Sequence, residues 1–153
     1  MGKINVGRVI IGGLLAGVVI NFGEFILNEP ILGDQWTAAM AALNRPPIGG
    51  SMIACFVLQG FVLGIALVWL YAAMRPRFGA GPKTAVWAGL TMWFLVALLG
   101  FGSTAIIGLL PGKLVGITLV WEIVEMPLAA LAGADGSGIN SCFRKTLTRC
   151  EDL

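Results

Sequence analysis

Three glutamates stand inside long apolar runs of this 153-residue chain. Glu24 interrupts the run over residues 9–27, and Glu122 and Glu125 lie within the run over residues 114–131. A charged side chain at the centre of a span costs about 2.5–3.5 kcal/mol on insertion scales for Asp, Lys or Arg, so three carboxylates call for a reason. Their spacing supplies one. Gly17, Asn21, Glu24 and Asn28 recur every three or four residues, which puts them on one helical face. Glu122 and Glu125, three apart, share a face as well, and Gln59 is the polar interruption of a further apolar run over residues 52–71.

Depth brings these groups to similar heights. At the helical rise, Glu24 lies about 24 Å beyond Arg8, Glu122 and Glu125 about 14 and 18 Å from Lys113, and Gln59 about 15 Å from Gly49. If the polar faces turn inward together, Asn21, Glu24, Gln59, Glu122 and Glu125 form one cluster with no lysine or arginine at its depth. Several carboxylates in a low-dielectric site without a cation cannot all stay ionised, so at least one is expected to hold a proton. The cluster then reads as a proton- or cation-binding, ligand-binding site. Oxygen ligands favour hard cations but do not choose among sodium, calcium, magnesium and an organic amine, so the metal is unknown. Pro127 removes the helical bond to the Ile123 carbonyl, between the two span-four glutamates, which would kink the helix or free that carbonyl as a ligand. The competing reading is structural: protonated glutamates bonding across helices to Asn21, Gln59 or a neighbouring subunit, each bond worth about 0.6 kcal/mol. At this stage the two weigh equally.

The residues that are missing narrow the chemistry. With no histidine in the chain, His-ligated haem, His-containing zinc sites and Ser-His or Cys-His nucleophile pairs are excluded. Cys55 sits in an apolar run, Cys142 and Cys150 in a polar tail, and no CxxC spacing links them, so all three are read as free thiols. A net charge of +2 forms no basic stripe, which excludes nucleic acid as a partner. With no activated nucleophile, phosphate loop or spaced metal motif, a non-enzymatic protein without cofactors is expected.

The elements that would position these residues follow from composition. The chain is 58% hydrophobic and 12% charged, and the charged fraction is about half that of ordinary soluble domains. Lipid must therefore be its main solvent. Four runs reach the ~20 residues a helix needs to cross hydrocarbon, at about residues 9–28, 50–73, 84–110 and 113–132. The expected fold is an all-α integral membrane four-helix bundle over residues 1–133, followed by a cytoplasmic tail over 134–153 that opens on an Ala-Asp-Gly-Ser-Gly linker. The basic start before the first run suggests a signal peptide, but no small-x-small cleavage site follows, so an uncleaved first span is expected. The third run is long enough to include an interfacial turn near Gly100, Gly102 and Gly108.

Lys3, Arg8, Arg75, Arg77, Lys83, Arg144, Lys145 and Arg149 fall on one side of this topology, and only Arg45 and Lys113 on the other. Basic residues are retained in the cytoplasm, so both termini are expected there, in a multi-pass protein of the cell membrane. Trp69, Tyr71 and Trp87 flank the basic loop at headgroup depth. Between the first two spans the sequence predicts a short amphipathic outer-loop helix, N-capped by Asp34, with Trp36, Met40 and Leu43 on one face and a stop at Asn44-Arg45-Pro46-Pro47. Gly13 with Gly17, Gly60 with Gly64 and Gly112 with Gly116 have the spacing of close-packed membrane helices, within one chain, in a homo-oligomer or against a membrane-complex partner. Trp93 and Trp121 read as packing residues, and Thr91, Ser103 and Thr104 as hydroxyls bonded to their own helix.

The stretch Glu29-Pro30-Ile31-Leu32-Gly33-Asp34-Gln35-Trp36 resembles an uncharacterised bacterial four-span membrane protein family, a domain of unknown function. Thr91 to Gly102 is also similar to that family's third span, whereas Leu27-Asn28-Glu29 stands where the family carries aromatics. The resemblance implies a layout, placed in a bacterial inner membrane, and brings no activity. In architecture the chain is also similar to small multidrug-resistance transporters, which have four spans and a membrane glutamate in the first. Here that glutamate lies towards the outer end, acids occupy span four, and the charge bias opposes inverted dimers. The leading expectation is a multi-pass membrane protein with a polar, carboxylate-containing intramembrane pocket, non-enzymatic or an accessory subunit. The alternative is a small proton- or cation-coupled transporter.

Overall fold

A computed structural model of the chain describes residues 5–136. Among these residues the fold is all helical, with four helices long and apolar enough to cross a membrane: Val6–Ile31, Gly50–Phe78, Pro82–Ile106 and Gly112–Gly136. The chain is a multi-pass membrane protein. Helix α1 (Val6–Ile26) starts where the Asn5 side chain accepts from the Arg8 amide at 3.2 Å. It widens into a π-helical turn, Leu27–Ile31, at Pro30, a residue with no amide proton for the α-helical ladder. Helix α2 (Gly33–Ala42) follows and ends before Asn44, which takes a left-handed φ of 52°. Helix α3 is Gly50–Phe78. The third span is built in three pieces: α4 (Pro82–Met92), a π-helical stretch (Trp93–Phe101) and α5 (Ser103–Ile106). Gly108, at φ 71°, turns the chain back into α6 (Gly112–Gly136).

Glycine decides how these helices pack. A Cβ at Gly64 would stand 2.5 Å from both the Gly13 carbonyl oxygen and the Gly17 amide nitrogen, so α1 and α3 meet backbone to backbone. A Cβ at Gly89 would likewise stand 2.6 Å from Pro127, which joins α4 to α6. Such approaches are how helices associate in lipid, where burying apolar surface gives no advantage over the acyl chains. Around these seams Ala16, Leu67, Val68, Ala85, Ala88, Ala129 and Ala130 form the core. A smaller cluster, in which Trp36 packs against buried Ala39, Leu114 and Val115, fastens α2 over the start of α6. Trp36 also lies 6.4 Å from the Phe101 ring, at an interplanar angle of 43°.

The packing is uneven along α3. Its buried positions are Gly60, Gly64, Leu67, Val68 and Tyr71, whereas every residue from 50 to 59 is exposed. The helix is therefore gripped from Gly60 to Tyr71, and its first ten residues are not.

The helices differ from expectation mainly at their ends. The first, second and last spans run longer than predicted and the third ends sooner, and α6 continues through Gly136 because Gly133 and Ala134 are buried, with the Gly133 site fitted against Val68, Gly12 and Ala16. The predicted linker thus starts inside a helix, and the tail from residue 137 lies outside the described residues. Of the three aromatics beside the basic loop, Tyr71 is fully buried among the helices, while Trp69 and Trp87 are exposed. Asp34 sits in the first turn of α2 and makes no capping bond, since Leu32 occupies the cap position. There its charge still suits the helix N-terminus. Thr91, Ser103 and Thr104 bond to carbonyls of their own span at 2.8, 2.6 and 2.6 Å, as predicted.

Candidate functional site

Glu125 lies on the inward face of α6 and is 6% exposed. Its carboxylate packs on Gly23 of α1, so closely that a Cβ there would overlap Oε1. Neither carboxylate oxygen has a hydrogen-bond partner, and the buried Nε1 of Trp121, one turn earlier on α6, has none either. The indole is near enough to act on the carboxylate, but the pair does not meet hydrogen-bond geometry. Glu24 and Glu122 are close enough for their charges to bear on Glu125 as well. Buried polar groups are nearly always satisfied in folded proteins, so two orphans one helical turn apart are unusual.

Both residues border the same space, with their polar atoms buried behind its apolar surface. A groove of about 800 Å³ runs between α1 and α6, walled by Val19, Phe22, Ile26, Val120 and Val124, with Glu125 and Trp121 in its lining and Lys113 at one end. Phe22, Val120 and Val124 are exposed on the outside of the bundle, so the groove opens sideways, towards hydrocarbon. Gly116 also lines it, and nothing lies within 4 Å of a Cβ built there.

Glu24 belongs to a second arrangement, tied to α2. The Asn28 side-chain amide donates to Glu24 Oε2 at 2.6 Å and to the Glu24 carbonyl at 2.8 Å. Trp36 Nε1 in turn donates to Asn28 Oδ1 at 2.7 Å. The π turn spaces these partners by carrying Asn28 past the end of α1.

Of the five residues singled out from sequence, Glu125 is buried on α6 against α1, and Glu24 and Glu122 are half-buried on those same two helices. Asn21 is turned to α3, where its amide fills the space a Gly60 side chain would need and donates to the Gly17 carbonyl at 2.8 Å. Gln59 is exposed, in the ungripped first part of α3. Both follow from where α1 and α3 separate: Gly60 is the last glycine of the seam, Asn21 wedges against it, and Gln59 lies just beyond. No three Asp, Glu or Cys side chains among the described residues group as a metal site. Cys55 is free and exposed.

Sequence reasoning passed over Gly23, whose lack of a side chain admits Glu125, and read Trp121 as packing alone. The signal was present in the i, i+4 spacing of Trp121 and Glu125, which puts an indole donor and a carboxylate on one face. Trp93, also read as packing, does bond across helices, from Nε1 to the Leu119 carbonyl at 3.0 Å. No family model, curated protein or solved structure matches the chain.

Proposed function

We propose that this chain is a non-enzymatic membrane protein that binds a membrane-dissolved ligand at Glu125, through the groove between α1 and α6. One observation carries the reading: a carboxylate 6% exposed, with both oxygens unpaired, borders about 800 Å³ of apolar space. Leaving a buried acceptor unsatisfied costs about 1–3 kcal/mol, more for a charged group, and a ligand that bonds to it recovers that energy. The volume lies within the ~300–1,000 Å³ of small-molecule sites, and the lining has their character, apolar with a few polar groups.

A second reading, a small proton- or cation-coupled transporter, draws support from Glu24 and Glu122. Their charges act on Glu125 from α1 and α6, so a proton or cation gained at one acid changes the others' hold on theirs. The eight-to-two distribution of basic residues supports cytoplasmic termini in a cell membrane. In an accessory-subunit role, the open face at Gly112 and Gly116 would meet a partner, because Gly13, Gly17 and Gly64 are used within the chain.

The test is thermal stability of the purified full chain in detergent against a panel of cations, amines and neutral amphiphiles, with Glu24→Gln, Glu122→Gln and Glu125→Gln beside the wild type. A ligand-induced rise in Tm that Glu125→Gln abolishes is expected. A flat response across the panel, with Glu125→Gln as stable as the wild type, would overturn the reading.

A further inference from the structure

Gln59 is a polar side chain set in lipid. It lies about 14 Å along α3 from Gly50, is exposed, and makes no hydrogen bond among the described residues. Ile53, Phe56, Leu58 and Val62 around it are exposed as well, so it stands among side chains that face the acyl chains. Hydrocarbon offers a carboxamide neither donor nor acceptor, and polar side chains at such depth hydrogen-bond across helix contacts.

The face that carries Gln59 selects what meets it. α3 packs on α1 through Gly60 and Gly64. At about 100° per residue, Met52, Cys55, Gln59 and Val62 form a stripe on the side turned away from that seam, at spacings of three, four and three. All four are exposed. The stripe carries no charge, so nothing on it selects an ionised partner. Its one carboxamide donates through nitrogen and accepts through oxygen, which makes it complementary to itself. A second copy of the chain supplies that same group. Basic residues, eight on one side of the spans and two on the other, give all copies one orientation. Two copies related by an axis along the membrane normal then bring equivalent residues of α3 face to face. Alternating steps of three and four suit two helices side by side, and a lone polar residue in such a seam sets its register. The glycines Gly13, Gly17 and Gly64 are already used within the chain, so pairing needs a different surface.

We infer that two copies of this chain pair in parallel through the outer stripe of α3, the Gln59 amides exchanging N–H···O bonds across the two-fold axis and the Cys55 thiols facing each other. The contact is separate from the groove at Glu125 and does not depend on a ligand there. It joins only the two α3 helices, so the paired segments before Gly60 stay free to lean together.

The test uses the full-length protein in phosphatidylcholine vesicles. With Cys142→Ser and Cys150→Ser in place, oxidation by copper phenanthroline is expected to join copies through Cys55. It is expected to fail when Cys55→Ser is added and Ile53→Cys carries the thiol, since residues two apart on a helix do not share a face. Pairing strength is read by single-molecule photobleaching of protein labelled at Ala80→Cys, in a background without the native cysteines, as it is diluted in the bilayer. Two-step bleaching that gives way to one step is expected. Gln59→Leu is expected to move the midpoint to about tenfold higher protein density, the loss set by two interhelical hydrogen bonds. Gln59→Asn keeps the amide and is expected to stay within about threefold of the wild type. Neither variant is expected to change Tm in a dissociating detergent, because Gln59 holds no bond within its own chain.

One-step bleaching at every density, or Gln59→Leu pairing as tightly as the wild type, would overturn the inference. Crosslinking through Ile53→Cys and not Cys55, or more than two bleaching steps, would do the same. A chain that stays single in vesicles but holds another membrane protein, released by Gln59→Leu, would assign the stripe to that partner and overturn self-pairing.

Discussion

Glu125 is governed by what a glycine omits. The carboxylate occupies the space where a Gly23 side chain would project, and its far end can swing away at little cost. Gly23→Ala is therefore expected to push the carboxylate off α1 while the helices stay packed. Ligand binding should fall as far as in Glu125→Gln, with a change in Tm of no more than a few degrees; a full loss of fold would show that α1 and α6 touch at Gly23 as tightly as α1 and α3 do at Gly64. Trp36 offers a different kind of test. Its indole bonds to Asn28, which in turn bonds to Glu24, so Trp36→Phe removes one link and leaves the Asn28 carbonyl short of a donor. A stability loss of about 0.5–1.5 kcal/mol is expected in reversible unfolding in detergent. With the ring contact to Phe101 kept, a loss well beyond that range would mean the indole does more than hold Asn28.

At the scale of elements, the seams make opposite predictions for the same substitution. Alanine exceeds glycine in helix propensity by about 1 kcal/mol, so Gly→Ala in an open helix position is neutral or favourable. Gly116→Ala, with nothing within 4 Å of the new Cβ, is expected to leave stability unchanged or raised. Gly64→Ala puts that atom 2.5 Å from two backbone atoms of α1, which no side-chain movement relieves, and is expected to cost about 1–3 kcal/mol or more. Equal Tm values for the two variants would refute the seam. Much of this was legible in sequence, because small residues four apart in an apolar helix have few uses besides close approach. The four spans were legible for the same reason, since long runs without charge admit one solvent. The side of each helix that a lone polar residue takes was not. Asn21 shares a face with Glu24 by spacing, yet its amide belongs to the α3 contact, and Gln59 falls just outside the region where α3 is gripped. Such outcomes depend on where two helices part, which is set by the pair and not by either run. Pro127 was legible as an interruption, but α6 passes through it, and its contact is the bare backbone at Gly89.

For the whole molecule, four spans put both ends of the described chain on one side, and the excess of basic residues there predicts that this side faces the cytoplasm. Single cysteines at Ala80 and Ala41, in a background without the native three, test this in intact cells. A membrane-impermeant maleimide is expected to label Ala41→Cys and to spare Ala80→Cys; the reverse pattern would invert the topology. The uneven grip on α3 bears on how the protein meets membranes of different depth. At 29 residues α3 is about 43 Å long, well beyond the ~30 Å of a hydrocarbon core. A helix with that excess must lean or protrude, and the part that leans most freely is the one no other helix of the chain holds. In thin bilayers the segment before Gly60 can incline, and in thick ones it can stand upright, while the Gly13–Gly17–Gly64 contact stays as it is. Hydrophobic mismatch would then be absorbed by one stretch of ten residues, and the groove on the far side of α1, with Glu125 in it, would keep its shape from one membrane to another.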